Sequence, residues 1–182
     1  MRLHSKLDGP FGVTMGTPTD SYKSCQPAEN PGFYRCSTLP RTHPDMQAYA
    51  IEGWPETGAC FVKGISSPIS ADVYGTTLRG KADEIAAQIR ETYGNAEKTD
   101  FLMTGSIWKD PRDWSMALLK KERFYFYKWD GGTGANLRDG IKSIVVAAAP
   151  ISSDKGYISV EFTFQNYTGC ENAERKAKAN AF

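Results

Sequence analysis

The chain has no long apolar run, almost no histidine and no dominant charge sign. No window approaches the roughly 18 consecutive apolar residues of a membrane-crossing helix, which predicts no membrane insertion. Its 22 basic and 21 acidic residues nearly cancel. No global field therefore draws the chain to nucleic acid or to an anionic lipid surface. Histidine occurs twice, as His4 and His43, so the usual general base is missing from most nucleophilic schemes. The opening Met1-Arg2-Leu3-His4-Ser5-Lys6 has no apolar signal-peptide core. Two compartments stay open: cytoplasmic as the sequence stands, or periplasmic if Met1 replaces a removed leader.

Site-forming motifs are equally scarce. Gly64-Ile65-Ser66-Ser67-Pro68 lacks the closing glycine of a nucleophile elbow and runs into proline. Asp130-Gly131-Gly132-Thr133-Gly134 follows a predicted strand but has no Lys-Ser/Thr end to hold phosphate, so it reads as a mobile loop between strands. Cys25 and Cys36 stand too far apart for a zinc-type Cys-x2-Cys pair. No cofactor, metal or catalytic set is expected on these grounds. Two weaker chemistries remain by residue type: Cys36 with His43, and paired carboxylates drawn from Asp100, Asp110, Asp113, Asp130 and Asp139. The four cysteines, Cys25, Cys36, Cys60 and Cys170, allow three pairings or none. Cys25 and Cys36 flank a Pro/Asn/Gly-rich loop and form the candidate disulfide; four reduced, buried thiols is the other reading.

What is present predicts an α+β fold. Leu78, Ala82, Ile85, Ala86, Ile89 and Tyr93 fall on one helical face, with Arg79, Asp83, Gln88, Arg90 and Glu91 around the rest. Thr76 or Thr77 can cap this helix and Gly94 can end it in the left-handed conformation. Alternation in Phe11, Val13 and Met15 predicts a strand over 9–17, followed by a short helix with Thr17 as cap and Pro18 first. Residues 33–39 and 46–51, separated by Pro40 and Pro44, read as edge-type strands. Residues 59–65 read as a buried strand, with another short one over 69–74. Asp110-Pro111-Arg112-Asp113 predicts a capped short helix through Trp114 to Lys121. Strands are expected over 123–129, 141–149 and 157–164, and a thin-faced helix over 171–181. Short connections favour antiparallel pairing, with the long helix packed on the sheet. The whole chain, 1–182, reads as a single α+β domain.

In the strand 123–129, Phe124 and Phe126 alternate with Tyr125, Tyr127 and Trp129. With the phenylalanines in the core, Arg123, Tyr125, Tyr127 and Trp129 project from the opposite face. Those residue types are enriched at binding hot spots, which makes them the candidate partner-binding set.

Phe11-Gly12-Val13-Thr14-Met15-Gly16-Thr17 and Tyr74-Gly75-Thr76-Thr77 both lead from Gly-Thr toward a helix followed by strands. This layout resembles the tandem modules of the beta-lactamase-inhibitor-like proteins and the small outer-membrane assembly lipoproteins. Tyr93-Gly94 through Ser106-Ile107-Trp108, with Trp114 to Trp129, is similar to uncharacterised bacterial envelope proteins. The resemblance implies a weak internal repeat (9–74 and 75–170, with a tail over 171–182) and a periplasmic binding or inhibitor module without catalysis. The expectation is thus a protein-binding domain of inhibitor or immunity type whose partner is another protein. Its alternatives are a small hydrolase and an envelope assembly factor.

Overall fold

A computed structural model of the protein describes residues 9–182; His4 and the rest of the opening segment lie outside the described residues. The fold is α+β. Among the described residues, nine strands make an open antiparallel sheet, accompanied by three helices.

The first helix, α1 (Thr76–Tyr93), follows directly from its pattern. Leu78, Ala82, Ile85, Ala86 and Tyr93 are buried, while Asp83, Gln88, Arg90 and Glu91 are exposed. Burying each of its larger apolar side chains contributes about 1.5–3 kcal/mol. Its caps differ from expectation. Gly75 occupies the N-cap in the left-handed region (φ 66°), and neither Thr76 nor Thr77 caps through its side chain. Asp72 Oδ1 instead accepts the Thr76 amide at 2.7 Å. A Cβ at Gly75 would collide with the Trp114 ring, so two constraints select glycine there. Gly94 (φ 78°) ends the helix, its N–H donating to Arg90 O at 2.9 Å.

In chain order the strands are β1 (Cys25–Pro27), β2 (Phe33–Cys36), β3 (Met46–Trp54), β4 (Gly58–Ser66), β5 (Ile69–Ser70), β6 (Glu97–Leu102), β7 (Arg123–Trp129), β8 (Ile141–Pro150) and β9 (Lys155–Phe164). They are hydrogen-bonded in the order β1-β2-β3-β4-β9-β8-β7-β6, with β5 on β9. The short α2 (Trp114–Leu119) is preceded by a 3-10 turn over Pro111–Asp113. Asp110 Oδ1 accepts the Arg112 amide at 2.9 Å, which stops the chain in a cap before the helix begins. The last helix, α3 (Tyr167–Ala179), buries only Cys170 and Ala173.

Three local expectations are corrected. Residues 9–17 form no strand: Pro10–Gly12 is a 3-10 turn, and Gly9, Gly12 and Gly16 all have positive φ, which extended backbone excludes. Phe11 turns inward there, meeting Tyr49 and Phe162 edge to face at 4.9 and 5.7 Å. The helix after Thr17 is one 3-10 turn, Thr19–Ser21, with Pro18 at its N-cap. Finally, neither β2 nor β3 is an edge strand: β2 pairs with both β1 and β3, β3 runs nine residues between β2 and β4, and the proline-bearing edge is β1, which contains Pro27.

The described chain divides into two compact units. The first takes residues 9–64, 137–143 and 161–182. Its core gathers Val13, Tyr49, Ile51, Val62, Phe162 and Phe164. Two disulfides lie in it. Cys25–Cys36 joins register partners on β1 and β2, and Cys60–Cys170 ties β4 to α3. The second unit takes residues 65–136 and 144–160. Its core is formed by the apolar face of α1, by Trp114 and Leu118 of α2, and by Ile144, Val146, Ile158 and Val160.

Candidate functional site

The candidate binding stripe on β7 faces inward. Tyr125, Tyr127 and Trp129 are 3%, 7% and 0% exposed, whereas Phe124 is 40% exposed and Phe126 half-buried. The two faces are therefore the reverse of those expected, and the stripe has no free surface for a partner. The cause is the helix pair. Asp83 of α1 accepts both tyrosine hydroxyls on one oxygen, at 2.6 Å from Tyr125 and 2.7 Å from Tyr127. Trp114 of α2 meets Tyr125 edge to face at 5.9 Å. Trp129 donates its indole N–H to Gly94 O at 2.9 Å, beside the end of α1. A phenylalanine could satisfy none of these polar contacts. Each inward ring instead brings a large apolar body plus a donor that a helix can receive.

This polar seam sets the titration of the rings. Burial, reinforced by the Asp83 carboxylate, raises the Tyr125 hydroxyl well above the usual tyrosine range. The same two causes push Tyr127 up to about 12. Lys98 of β6 places Nζ 4.9 Å from the Tyr125 ring and 5.6 Å from the Tyr127 ring. Arg123 bonds Asp100 at 2.7 Å, while its Nε is buried without a hydrogen-bond partner. All of these are structural contacts: they hold both hydroxyls protonated and engaged, with no nucleophile or base released to a substrate.

Inversion of β7 leaves an apolar surface on the other side. Phe124 and Phe101 are register partners on β7 and β6, and their rings stack at 6.4 Å with 23° between planes. Phe101 is 50% exposed, and Met103 and Ile107 beyond it are 45% and 75% exposed. Next to Phe124 and Phe126, a groove of about 200 Å³ is lined by Leu118, Phe124, Phe126, Ala147 and Pro150, with exposed Lys121 beside them. Phe126 and Ala147 are direct register partners. Small side chains on β8 line the groove opposite Phe124 and Phe126, and Arg123 and Tyr125 line it as well. The exposure of Phe101, Met103 and Ile107 escapes a sequence reading, because single apolar residues among charged ones give no periodicity. A faint signal exists in the strong helix itself: α1 must cover one face of β7, and the larger rings fill that face best.

The other chemical candidates resolve individually. Cys36 is bonded to Cys25, so a Cys36/His43 pair has no thiol to act as nucleophile. His43 Nδ1 accepts the Asp45 amide at 3.0 Å. Asp100 is paired with Arg123, Asp110 caps a turn, Asp130 receives Gly132 N–H at 2.8 Å, and Asp139 sits 3.6 Å from Arg138. Asp113 lies in the first turn leading into α2. The glycine-rich 130–134 segment is a turn pinned by Thr133 Oγ1, which donates to Asn95 O at 2.9 Å. Glu52, Cys60 and Cys170 are the group whose atoms approach as metal ligands do, all within 4.8 Å among the described residues. The two sulfurs are bonded to each other and offer no thiolate. Glu52 is 2% exposed; burial raises its pKa, the Trp54 indole N–H at 3.4 Å lowers it, and Glu174 and Glu171 raise it further. A larger groove of about 450 Å³ runs between Phe33, Trp54 and α3. Its two charged side chains, Glu174 and Lys178, neutralise each other at 2.8 Å.

No protein-family model, curated protein or solved structure matches this chain, so the open face of β6 and β7 stands on its own geometry as the candidate site.

Proposed function

We propose that this protein is a non-catalytic binding domain that captures another protein on the open face of β6 and β7. The observation that carries the reading is the stacked, half-exposed Phe101/Phe124 pair beside the Phe126 groove. Contiguous aromatic surface next to a shallow depression is the form a protein hot spot takes. Lys121 next to the groove favours a partner segment with an apolar anchor followed by an acidic residue. The inhibitor or immunity type implied by the resemblance fits such a surface. The two disulfides support an oxidising compartment such as the periplasm.

The test is selection from a display library of random peptides on the intact, oxidised protein. Enriched peptides should carry an apolar anchor beside Asp or Glu, and should lose at least about tenfold in affinity for Phe124→Asp. The variant's circular dichroism should stay unchanged, because Phe124 faces water. Peptides that bind wild type and variant equally would remove the open face from consideration.

A further inference from the structure

We infer that β6 is a self-complementary edge through which two copies of this chain pair antiparallel, joining their sheets across a two-fold axis at Thr99. Main-chain groups and charges at the edge set this pairing, independently of what the apolar face binds.

Met103 N–H donates to Glu122 O at 2.7 Å, in phase with the β6–β7 register that pairs Leu102 with Arg123. In an antiparallel ladder, hydrogen-bonded and non-hydrogen-bonded pairs alternate. Phe101, Thr99 and Glu97 therefore bond to β7, while Lys98, Asp100 and Leu102 aim their N–H and C=O groups outward. β6 ends the sheet order, so among the described residues no strand receives those groups. An unpaired edge is normally guarded by repelling charges or by proline. β6 has no proline, and its charges Lys98 and Asp100, both exposed, are of opposite sign and two residues apart, so in a matching copy they attract where like charges would repel.

A second β6 must match the outward-pointing residues with each other, which leaves few two-fold registers. Centring on Lys98 sets lysine against lysine. Centring on Asp100 sets aspartate against aspartate. Centring on Phe101 or Leu102 leaves Asp100 opposite an apolar residue or beyond the pairing. Centring on Thr99 alone sets each Lys98 opposite the other copy's Asp100, twice per dimer, with Thr99 facing Thr99 and Glu97 across from Phe101 at the ends of the pairing. Arg123, 2.7 Å from Asp100, fixes the receiving carboxylate in place. Because the axis stands perpendicular to the sheet, the Phe101/Phe124 surfaces of both copies lie on the same side.

Sedimentation equilibrium of the full oxidised chain over a concentration series tests this. Wild type should fit a monomer–dimer equilibrium. Lys98→Asp should weaken it by about tenfold or more, since two attractions become two repulsions. Lys98→Asp combined with Asp100→Lys should recover part of that loss, the recovery being limited because the new lysine stands beside Arg123. Thr99→Cys should form a covalent dimer under mild oxidation, as facing residues in a non-hydrogen-bonded pair have Cα atoms about 4.5 Å apart, within disulfide reach. A wild-type monomer at every concentration overturns the inference. So does a folded double variant no stronger than Lys98→Asp, or a Thr99→Cys protein that stays monomeric.

Discussion

Replacing Asp83 with alanine removes the one oxygen that receives both Tyr125 and Tyr127 hydroxyls. Hydrogen bonds to a charged acceptor contribute about 1.5–3 kcal/mol each when well shielded. Asp83 itself sits at an exposed helix position, so water partly replaces the lost acceptor, and about 1–1.5 kcal/mol per hydroxyl is the better figure. Alanine returns roughly 0.5 kcal/mol of helix propensity in the middle of α1. The net loss should be about 2 kcal/mol, measured by urea denaturation at pH 7. The decisive comparison repeats Asp83→Ala in a Tyr125→Phe/Tyr127→Phe background. There the loss should vanish, leaving only the small propensity gain. Alkaline pH offers a second reading of the same contact. A tyrosine whose folded pKa is raised stabilises fully below its unfolded value near 10, and that stability is lost as pH rises through about 12, the Tyr127 value. Wild type should therefore lose stability from about pH 10 upward more steeply than the Tyr125→Phe/Tyr127→Phe protein. An Asp83→Ala cost that is the same in both backgrounds would refute the shared-acceptor account.

Trp129→Ala should cost about 3–5 kcal/mol in denaturant unfolding, because the ring is fully buried and its indole N–H holds Gly94 O. A loss under about 1 kcal/mol would mean that the inward face is not core. Glu52→Gln should stabilise the protein at pH 7 and match wild type near pH 4. The folded carboxyl has its pKa raised by burial, so wild-type stability is full below the unfolded pKa and declines as pH rises through the folded one. Thermal unfolding at the two pH values reads this directly. Serine at both members of a disulfide should cost more at Cys60–Cys170 than at Cys25–Cys36. Loops of 110 and 11 residues correspond to about 4.8 and 2.8 kcal/mol of lost chain entropy. Equal losses would place the stabilisation in the native state.

The sequence discloses most readily what local periodicity encodes. α1 and β9 are legible because each keeps one apolar face over several turns or residues: Ile158, Val160, Phe162 and Phe164 are all buried, as their alternation demands. β7 is legible as a strand but not in its orientation, since Phe and Tyr are both large and apolar. Which set turns inward is decided by Asp83, 42 residues from Tyr125, and nothing near β7 carries that information. β6 is unreadable for a different reason. Glu97, Lys98, Thr99 and Asp100 have no apolar face, and the segment is a strand because β7 offers it a ladder. The expected strand at 9–17 fails because alternation of Phe11, Val13 and Met15 competes with glycines held at positive φ. The candidate surface inherits both difficulties: Phe101 lies on the unreadable strand and Phe124 on the inverted one.

The spacing of the cysteines also sets an order of events during synthesis. Chains grow at roughly 5–20 residues per second, so Cys36, 11 residues on, follows Cys25 within about half a second to two seconds. Cys170, 110 residues after Cys60, follows it by about 5–20 seconds. Throughout that interval Cys60 is a thiol without its partner, and Cys25 and Cys36 are the only cysteines made before it. Early closure of the 25–36 bond removes both as wrong partners. The short bridge thereby protects the long one, and a chain lacking Cys36 should accumulate Cys25–Cys60 isomers before α3 exists to claim Cys60.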